Sequence, residues 1–175
     1  MYSLNARNET VYFDDICSGE LPQVLKWYNL VEEFKYATGN DREITIDILL
    51  QKYREAMDSP VDFLAGIHLN RDGRMIGAMR GRIQYSEKNT GWLNFIVIDP
   101  EYQGRGYGSA SVNLLINHLG TACGLKGIYL AVAEDNLRGM AFWAGNNFSG
   151  VRRMENRLSL SGRRCAAIIM YRRIS

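Results

Sequence analysis

The chain has 175 residues, 46% of them hydrophobic and 23% charged, with a net charge of +2. That length suits one domain over residues 1–175 with a full apolar core, and the near-neutral balance gives no basis for a nucleic-acid or acidic-membrane partner. Cys17, Cys123 and Cys165 are an odd count without a pairing pattern, which fits reduced thiols in the cytoplasm, and neither a signal segment in MYSLNARNET nor an apolar run of bilayer length points elsewhere.

Residues 10–17 (TVYFDDIC) are rich in strand formers. Pro22 opens a helical stretch to about Tyr36. Thr45 caps a second helix, in which Ile46, Leu49, Leu50, Tyr53 and Met57 recur at the spacing of one helical face. The period then changes. Asp62 to Leu69 reads as a strand, Arg71-Asp72-Gly73-Arg74 as a tight turn and Met75 to Gln84 as the antiparallel partner. After a turn over residues 86–91, Trp92 to Ile98 is a third strand of this series, stopped by Asp99-Pro100. From Gly106 a helix places Val112, Leu115, Ile116 and Leu119 on one side and ends at Gly120 and Gly124. Ile128 to Ala133 is a short apolar strand, and Asn136 to about Asn146 a short helix. Phe148 to Asn156 and Cys165 to Ile174 are closing strands around a turn at Ser161-Gly162. This order predicts an α/β fold of the α+β type. Its central sheet has about seven strands, mostly antiparallel with one parallel pair joined by the helix after Gly106, and about four helices flank it.

The most informative segment runs from Val97 to Ser109 as strand, proline stop, glycine turn and helix. Gly104, Gly106 and Gly108 let the backbone bend sharply and approach a ligand closely. The helix that follows leaves its first amides unpaired, with partial positive charge at that end, and Arg105 adds a full charge. Together these suit a pyrophosphate. Two nucleotide fingerprints fail here. No Gly-Lys-Ser/Thr ends the loop, and a dinucleotide motif would need glycine at Ser109 and an acidic residue near 123–127.

With Gln103, Gly106 and Gly108 the segment resembles the Q/R-x-x-G-x-G/A coenzyme A motif of the GNAT N-acetyltransferase superfamily. Asn136-Leu137-Arg138-Gly139-Met140-Ala141-Phe142-Trp143, followed by Asn147-Phe148, is similar to that family's second signature, N-x-x-A-x-x-F-Y before a glycine-phenylalanine turn. The resemblance covers nearly the whole chain in element order. It implies transfer of an acetyl group from acetyl-CoA to a primary amine of a small molecule or peptide, by direct attack in a ternary complex. It also implies that the strand ending at Ile98 splays from the one starting at Ile128, with the pantetheine arm entering the gap. Backbone groups of Ile96, Val97 and Ile98 would hold the arm, and an N–H in that strand would stabilise the oxyanion. Amides of Gly104, Arg105, Gly106, Tyr107, Gly108 and Ser109 would hold the pyrophosphate, and Asn136 would contact the coenzyme near its thiol.

The proton chemistry departs from the family. A lysine-like amine, with a pKa near 10.4, is neutral in only about one molecule in a few thousand at neutral pH, so its proton must be taken. The splayed strands carry Asn94 and Ala131 where relatives use a carboxylate. Glu134 and Asp135 stand just past the second strand, either as groups acting through water or as exposed turn residues. Trp143 replaces the tyrosine that relatives use as acid, and indole donates a hydrogen bond but no proton. Glu134 and Trp143 are thus the weak catalytic candidates. The same departures leave open a domain that binds acyl-CoA as a sensor without turnover. His68 and His118 lack ligand-spaced partners, so no metal is expected. Glu32, Glu33, Asp41 and Glu43 near the acceptor side would attract a cationic amine or form a solvated face. The pairs Arg152-Arg153, Arg163-Arg164 and Arg172-Arg173 read as charged guards of strand edges. Both a monomer and a homodimer are compatible with such edges.

Overall fold

The computed structural model describes residues 1–85, 89–160 and 163–174. The elements in chain order are β1 (Ala6–Arg7), β2 (Val11–Asp15), α1 (Leu21–Tyr28), α2 (Val31–Thr38), α3 (Ile46–Met57), β3 (Asp62–Leu69), β4 (Met75–Gln84), β5 (Thr90–Ile98), α4 (Tyr107–Cys123), β6 (Gly127–Ala133), α5 (Leu137–Gly145), β7 (Ser149–Leu160) and β8 (Arg163–Arg173). The expected turns at Ser86-Glu87-Lys88 and Ser161-Gly162 lie outside the described residues.

All described strands form one sheet in the order β1-β2-β3-β4-β5-β6-β8-β7. Every pairing is antiparallel except β5 with β6, which α4 connects. The α/β expectation therefore stands, with two differences in count. A two-residue strand, β1, adds an eighth strand by pairing Ala6 with Phe13 and Arg7 with Tyr12. The stretch read as one helix to Tyr36 is two helices, α1 and α2, which makes five α-helices among the described residues. The break has a side-chain cause: Asn29 Nδ2 donates to Ile44 O at 3.1 Å and Ile44 N donates to Asn29 Oδ1 at 2.9 Å. Asn29 thereby closes a loop onto backbone 15 residues on and halts α1.

Two apolar layers cover the sheet. On one face α4 buries Val112, Leu115 and Leu119 against Leu93, Ile128, Leu130 and Val132. On the other, α1, α2 and α3 bury Trp27, Phe34 and Leu49 against Leu64, Ala78, Phe95 and Val97. Each fully buried large side chain contributes roughly 1.5–3 kcal/mol. Trp27 also donates Nε1–H to Asp99 Oδ2 at 2.8 Å, while Asp99 Oδ1 accepts from Glu101 N at 3.0 Å. The first helix is thus pinned to the turn that follows β5.

Buried Asp62 is the main ionic fixture of the sheet. It is 2% exposed and accepts from Arg80 Nη2 at 3.3 Å and from Arg82 Nε and Nη2 at 2.5 and 3.1 Å. Cys17, Cys123 and Cys165 form no disulfide. No helix among the described residues is long and apolar enough to cross a membrane.

Candidate active-site cleft

The site begins with a failure of pairing. β5 and β6 are registered only at Thr90–Gly127, Gly91–Ile128 and Trp92–Tyr129. Beyond that point β5 stays on β4 as far as Ile98, and β6 stays on β8 as far as Ala133. Backbone groups of residues 93–98 and 130–133 that point into the gap therefore have no strand partner. A bulge accompanies the split: Arg80 faces Phe95 and Gly81 faces Leu93, which leaves Asn94 as the extra residue of β5. Such a bulge increases local twist and bends the strand that carries it. It also flips the alternation, so Leu93 packs under α4 while Phe95 packs under the α1–α3 layer.

The gap opens into a cleft of about 420 Å³ between β5, β6, α2, the glycine turn and α5. Among the residues expected at the coenzyme, Ile96, Ile98, Gln103, Gly104, Gly106, Gly108, Ser109 and Asn136 line it. Val97, Arg105 and Tyr107 do not. Val97 is buried against the opposite layer, the Arg105 guanidinium lies 5.8 Å from the Tyr102 ring centroid, and Tyr107 packs beside the core.

The turn has the backbone that its glycines predict. Gly104 and Gly106 take φ of +70° and +81°, with open space where a Cβ would stand. Gly106 is the N-cap of α4 without a side-chain cap, so the first-turn amides of Tyr107, Gly108 and Ser109 lack intrahelical acceptors. Gly108 brings α4 against α5: a Cβ there would sit 3.2 Å from the Phe142 ring. Gln103 braces the turn, its Nε2 donating to Ile98 O at 2.8 Å. That amide ties the end of β5 to the loop at the wall of the cleft. The positive φ values, the open space above them and the unpaired amides fit a linked-phosphate group.

At the far side, Asn136 caps α5, its Oδ1 accepting from Gly139 N at 2.9 Å. A Cβ at residue 139 would fall 2.3 Å from Asn136 Nδ2. The departure from alanine at Gly139 therefore makes room for the cap. Trp143 is half-buried between Phe142 and Phe148, at centroid distances of 4.9 and 5.1 Å and near-perpendicular angles. It lines the cleft as packed aromatic surface.

Glu134 does not line the cleft. It accepts from Arg153 Nε and Nη2 at 2.7 Å each. The Arg153 hydrogen bond, opposed by burial and helped by the Arg153 charge, lowers its carboxyl below the ordinary value. A carboxylate so held is a poorer proton acceptor than a free one, and Glu134 is paired with Arg153 away from the cleft.

Sequence reading missed Tyr36, Arg138 and Phe142 as site residues. Arg138 bridges the cleft mouth, donating Nη1–H to Glu33 Oε1 at 2.9 Å and Nη2–H to Gln103 Oε1. Its place inside the second signature was an available signal. Tyr36 on α2 had none, because only the tertiary fold brings α2 over β5. Of the acidic cluster, Glu33 lines the cleft, while Glu32 pairs with Lys35 at 3.1 Å. His68 Nδ1 lies 3.2 Å from Gly73 O, and His118 Nε2 lies 3.0 Å from the Tyr2 hydroxyl. Among the described residues no group of three or more His, Cys, Asp or Glu side chains could hold a metal ion.

Residues 22–148 match the model of the acetyltransferase (GNAT) family. The spermine/spermidine N(1)-acetyltransferase of Bacillus subtilis strain 168 is 34% identical over 91 residues, 48% of this chain and 60% of that one. A probable spermine N(1)-acetyltransferase of Bacillus subtilis subsp. natto strain BEST195 matches to the same extent. The matched segment thus spans about three-fifths of these curated relatives. Among solved structures, a spermidine N-acetyltransferase from Vibrio cholerae in complex with CoA and spermine has a TM-score of 0.83 at 20% identity, covering 95% of this chain and 97% of that one. A probable acetyltransferase has a TM-score of 0.79 at 14% identity, covering 97% of each chain. At such identities the likeness establishes a common fold.

Proposed function

The chain belongs to the GNAT acetyltransferase family, and from that premise we propose that it transfers an acetyl group from acetyl-CoA to a primary amine, as one transferase domain, by direct attack in a ternary complex. The observation that carries this reading is the split sheet: β5 and β6 part after Trp92 and Tyr129, directly beside a glycine turn whose amides are unpaired. Amides from Gly104 to Ser109 would hold the pyrophosphate, in the manner of helix N-termini. Backbone groups of β5 at Ile96 to Ile98 that face the gap, apart from the Ile98 carbonyl that Gln103 holds, would pair with the pantetheine amides as an added strand does. An N–H of β5 near the Asn94 bulge would stabilise negative charge on the thioester oxygen. Asn136, Phe142 and Trp143 would enclose the thiol end.

Polyamines are the acceptor class to test first, because the curated relatives are spermine and spermidine acetyltransferases. Glu33 on the cleft wall suits an ammonium acceptor.

The test is thiol release from acetyl-CoA in the presence of spermidine, spermine, simple alkylamines and amino-terminal peptides, with calorimetry of coenzyme A alongside. Turnover with at least one amine is expected. Heat of coenzyme binding without turnover on any amine would instead mark a sensor, and no heat at all would overturn the site.

A further inference from the structure

The mouth of the split sheet is crossed by a guanidinium. β6 leads into α5 and β5 leads into the glycine turn, so the two walls of the gap continue to Arg138 on one side and Gln103 on the other. Arg138 spans them, donating Nη1–H to Glu33 Oε1 at 2.9 Å and Nη2–H to Gln103 Oε1. All three residues line the cleft. Gln103 is itself fixed, its Nε2 donating to Ile98 O at 2.8 Å. The next residue, Gly104, takes φ of +70° with open space where a Cβ would stand. The guanidinium therefore rests between a carboxylate of α2 and the start of the turn that leads to the unpaired amides of α4.

This bridge is built to exchange partners. The Arg138 side chain is 73% exposed and that of Glu33 34% exposed, and an ion pair so open to water is weak and screened by salt. Linked phosphates beside Gln103 bring more negative charge than one carboxylate, and their oxygens match the planar fork of a guanidinium. They draw Arg138 from Glu33. The carboxylate then stands on the cleft wall without its cation, and a cationic ligand group restores the balance. That group is not the reacting nitrogen, which must be neutral when it attacks. The cation that Glu33 holds throughout the reaction is a second ammonium of the acceptor.

Resting on the acetyl-transfer reading above, we infer that Arg138 is a shared counter-ion that couples the two substrates. In the arrangement described it pairs with Glu33 and Gln103. With coenzyme A present its guanidinium passes to the pyrophosphate, and the released Glu33 carboxylate binds a second ammonium of a di- or polycationic acceptor. A monoamine gains nothing from the exchange. Linkage makes the effect reciprocal, so the acceptor tightens the coenzyme by the factor by which the coenzyme tightens the acceptor.

The test is calorimetry of spermidine and of butylamine with the wild type, Arg138→Gln and Glu33→Gln, each with and without saturating coenzyme A. In the wild type the coenzyme should tighten spermidine about five-fold or more, the lower end of ordinary coupling, and leave butylamine within about two-fold. Arg138→Gln should weaken coenzyme A about ten-fold and yet tighten spermidine on the coenzyme-free protein, because Glu33 has lost its resident cation. Glu33→Gln should do the opposite, weakening spermidine and tightening coenzyme A. It also sets the background for direct pairing of spermidine with the coenzyme. Above that background, coupling in Arg138→Gln should fall to within about two-fold, and Arg138→Lys, which keeps the charge without the fork, should restore part of it. If circular dichroism shows Arg138→Gln unfolded, Arg138→Lys and Glu33→Gln carry the same comparison. Full coupling in Arg138→Gln would overturn the exchange. So would weakening of both ligands in that variant, the mark of a brace that only holds α5 in place, or no heat from spermidine with any of the proteins. The acetyl-transfer reading fails separately, through absence of thiol release by the wild type with every amine, and the calorimetric coupling then still decides the exchange.

Discussion

The two ends of the cleft are built from different materials. The end proposed for the acetyl donor is backbone: amides of a continuous turn from Gly104 to Ser109 and the free edge of β5. The end proposed for the acceptor is side chains from separate elements: Glu33 and Tyr36 from α2, Asn94 from β5 and Arg138 from α5. A site made of main-chain groups depends on conformation and tolerates most side-chain changes that preserve φ and ψ. A site made of side chains depends on how helices pack over the sheet. Substitutions at the two ends should therefore fail in different ways.

The largest effect is expected at Gly106. A valine there must hold φ of +81°, which costs at least about 1–2 kcal/mol for an L-residue and more for a β-branched one. Relief of that strain would turn the amides away, and the loss of two charge-assisted hydrogen bonds weakens coenzyme binding by more than about 100-fold. Calorimetry should find no binding, while circular dichroism should show a folded chain, since nothing lies within 4 Å of the added Cβ. Normal binding by Gly106→Val would place the phosphates elsewhere.

Next is Asp62, a control remote from both ends. Asp62→Ala leaves two arginines without their carboxylate and should cost about 3 kcal/mol in urea unfolding. Burial alone would raise the Asp62 carboxyl, but the hydrogen bonds from Arg82 and Arg80 together hold it below its ordinary value. Its stabilisation is therefore present above the unfolded-state pKa near 3.9 and lost as pH falls through the lower folded value. Wild-type stability should drop in that window, and Asp62→Asn should flatten it.

A smaller effect tests the seam between the ends. Gly108→Val places a Cβ 3.2 Å from Phe142, so α5 must shift from α4, at about 1–2 kcal/mol of stability. Because α5 carries acceptor-end residues, KM for both acetyl-CoA and the amine should rise. The smallest effect is expected at Trp143. Phenylalanine keeps most of the packing with Phe142 and Phe148, so Trp143→Phe should retain activity within about five-fold. Total loss would show that the indole N–H has a role beyond shape.

The same contrast explains which features were legible in the sequence. The hairpin β3–β4, the proline stop after β5, the glycine turn and α4 are local in sequence, and their turn and helix signals could be read directly. Helix α1 was read through to Tyr36, because its terminator is a side chain bonded to Ile44 and leaves no local mark. Glu134 and Asp135 looked equivalent as neighbours just past β6. The fold separates them, giving Glu134 to Arg153 on β7 and leaving Asp135 exposed.

By itself the sequence determined the strand-turn-helix that can grip linked phosphates, and with it the family resemblance, because unpaired amides and positive φ values follow from glycines spaced along one short stretch. Only the tertiary structure decided where β5 leaves β6, which carboxylate pairs with Arg153, and that a tyrosine from α2 lines the cleft. Those outcomes depend on packing between segments tens of residues apart, and no local pattern encodes which of two adjacent carboxylates finds an arginine.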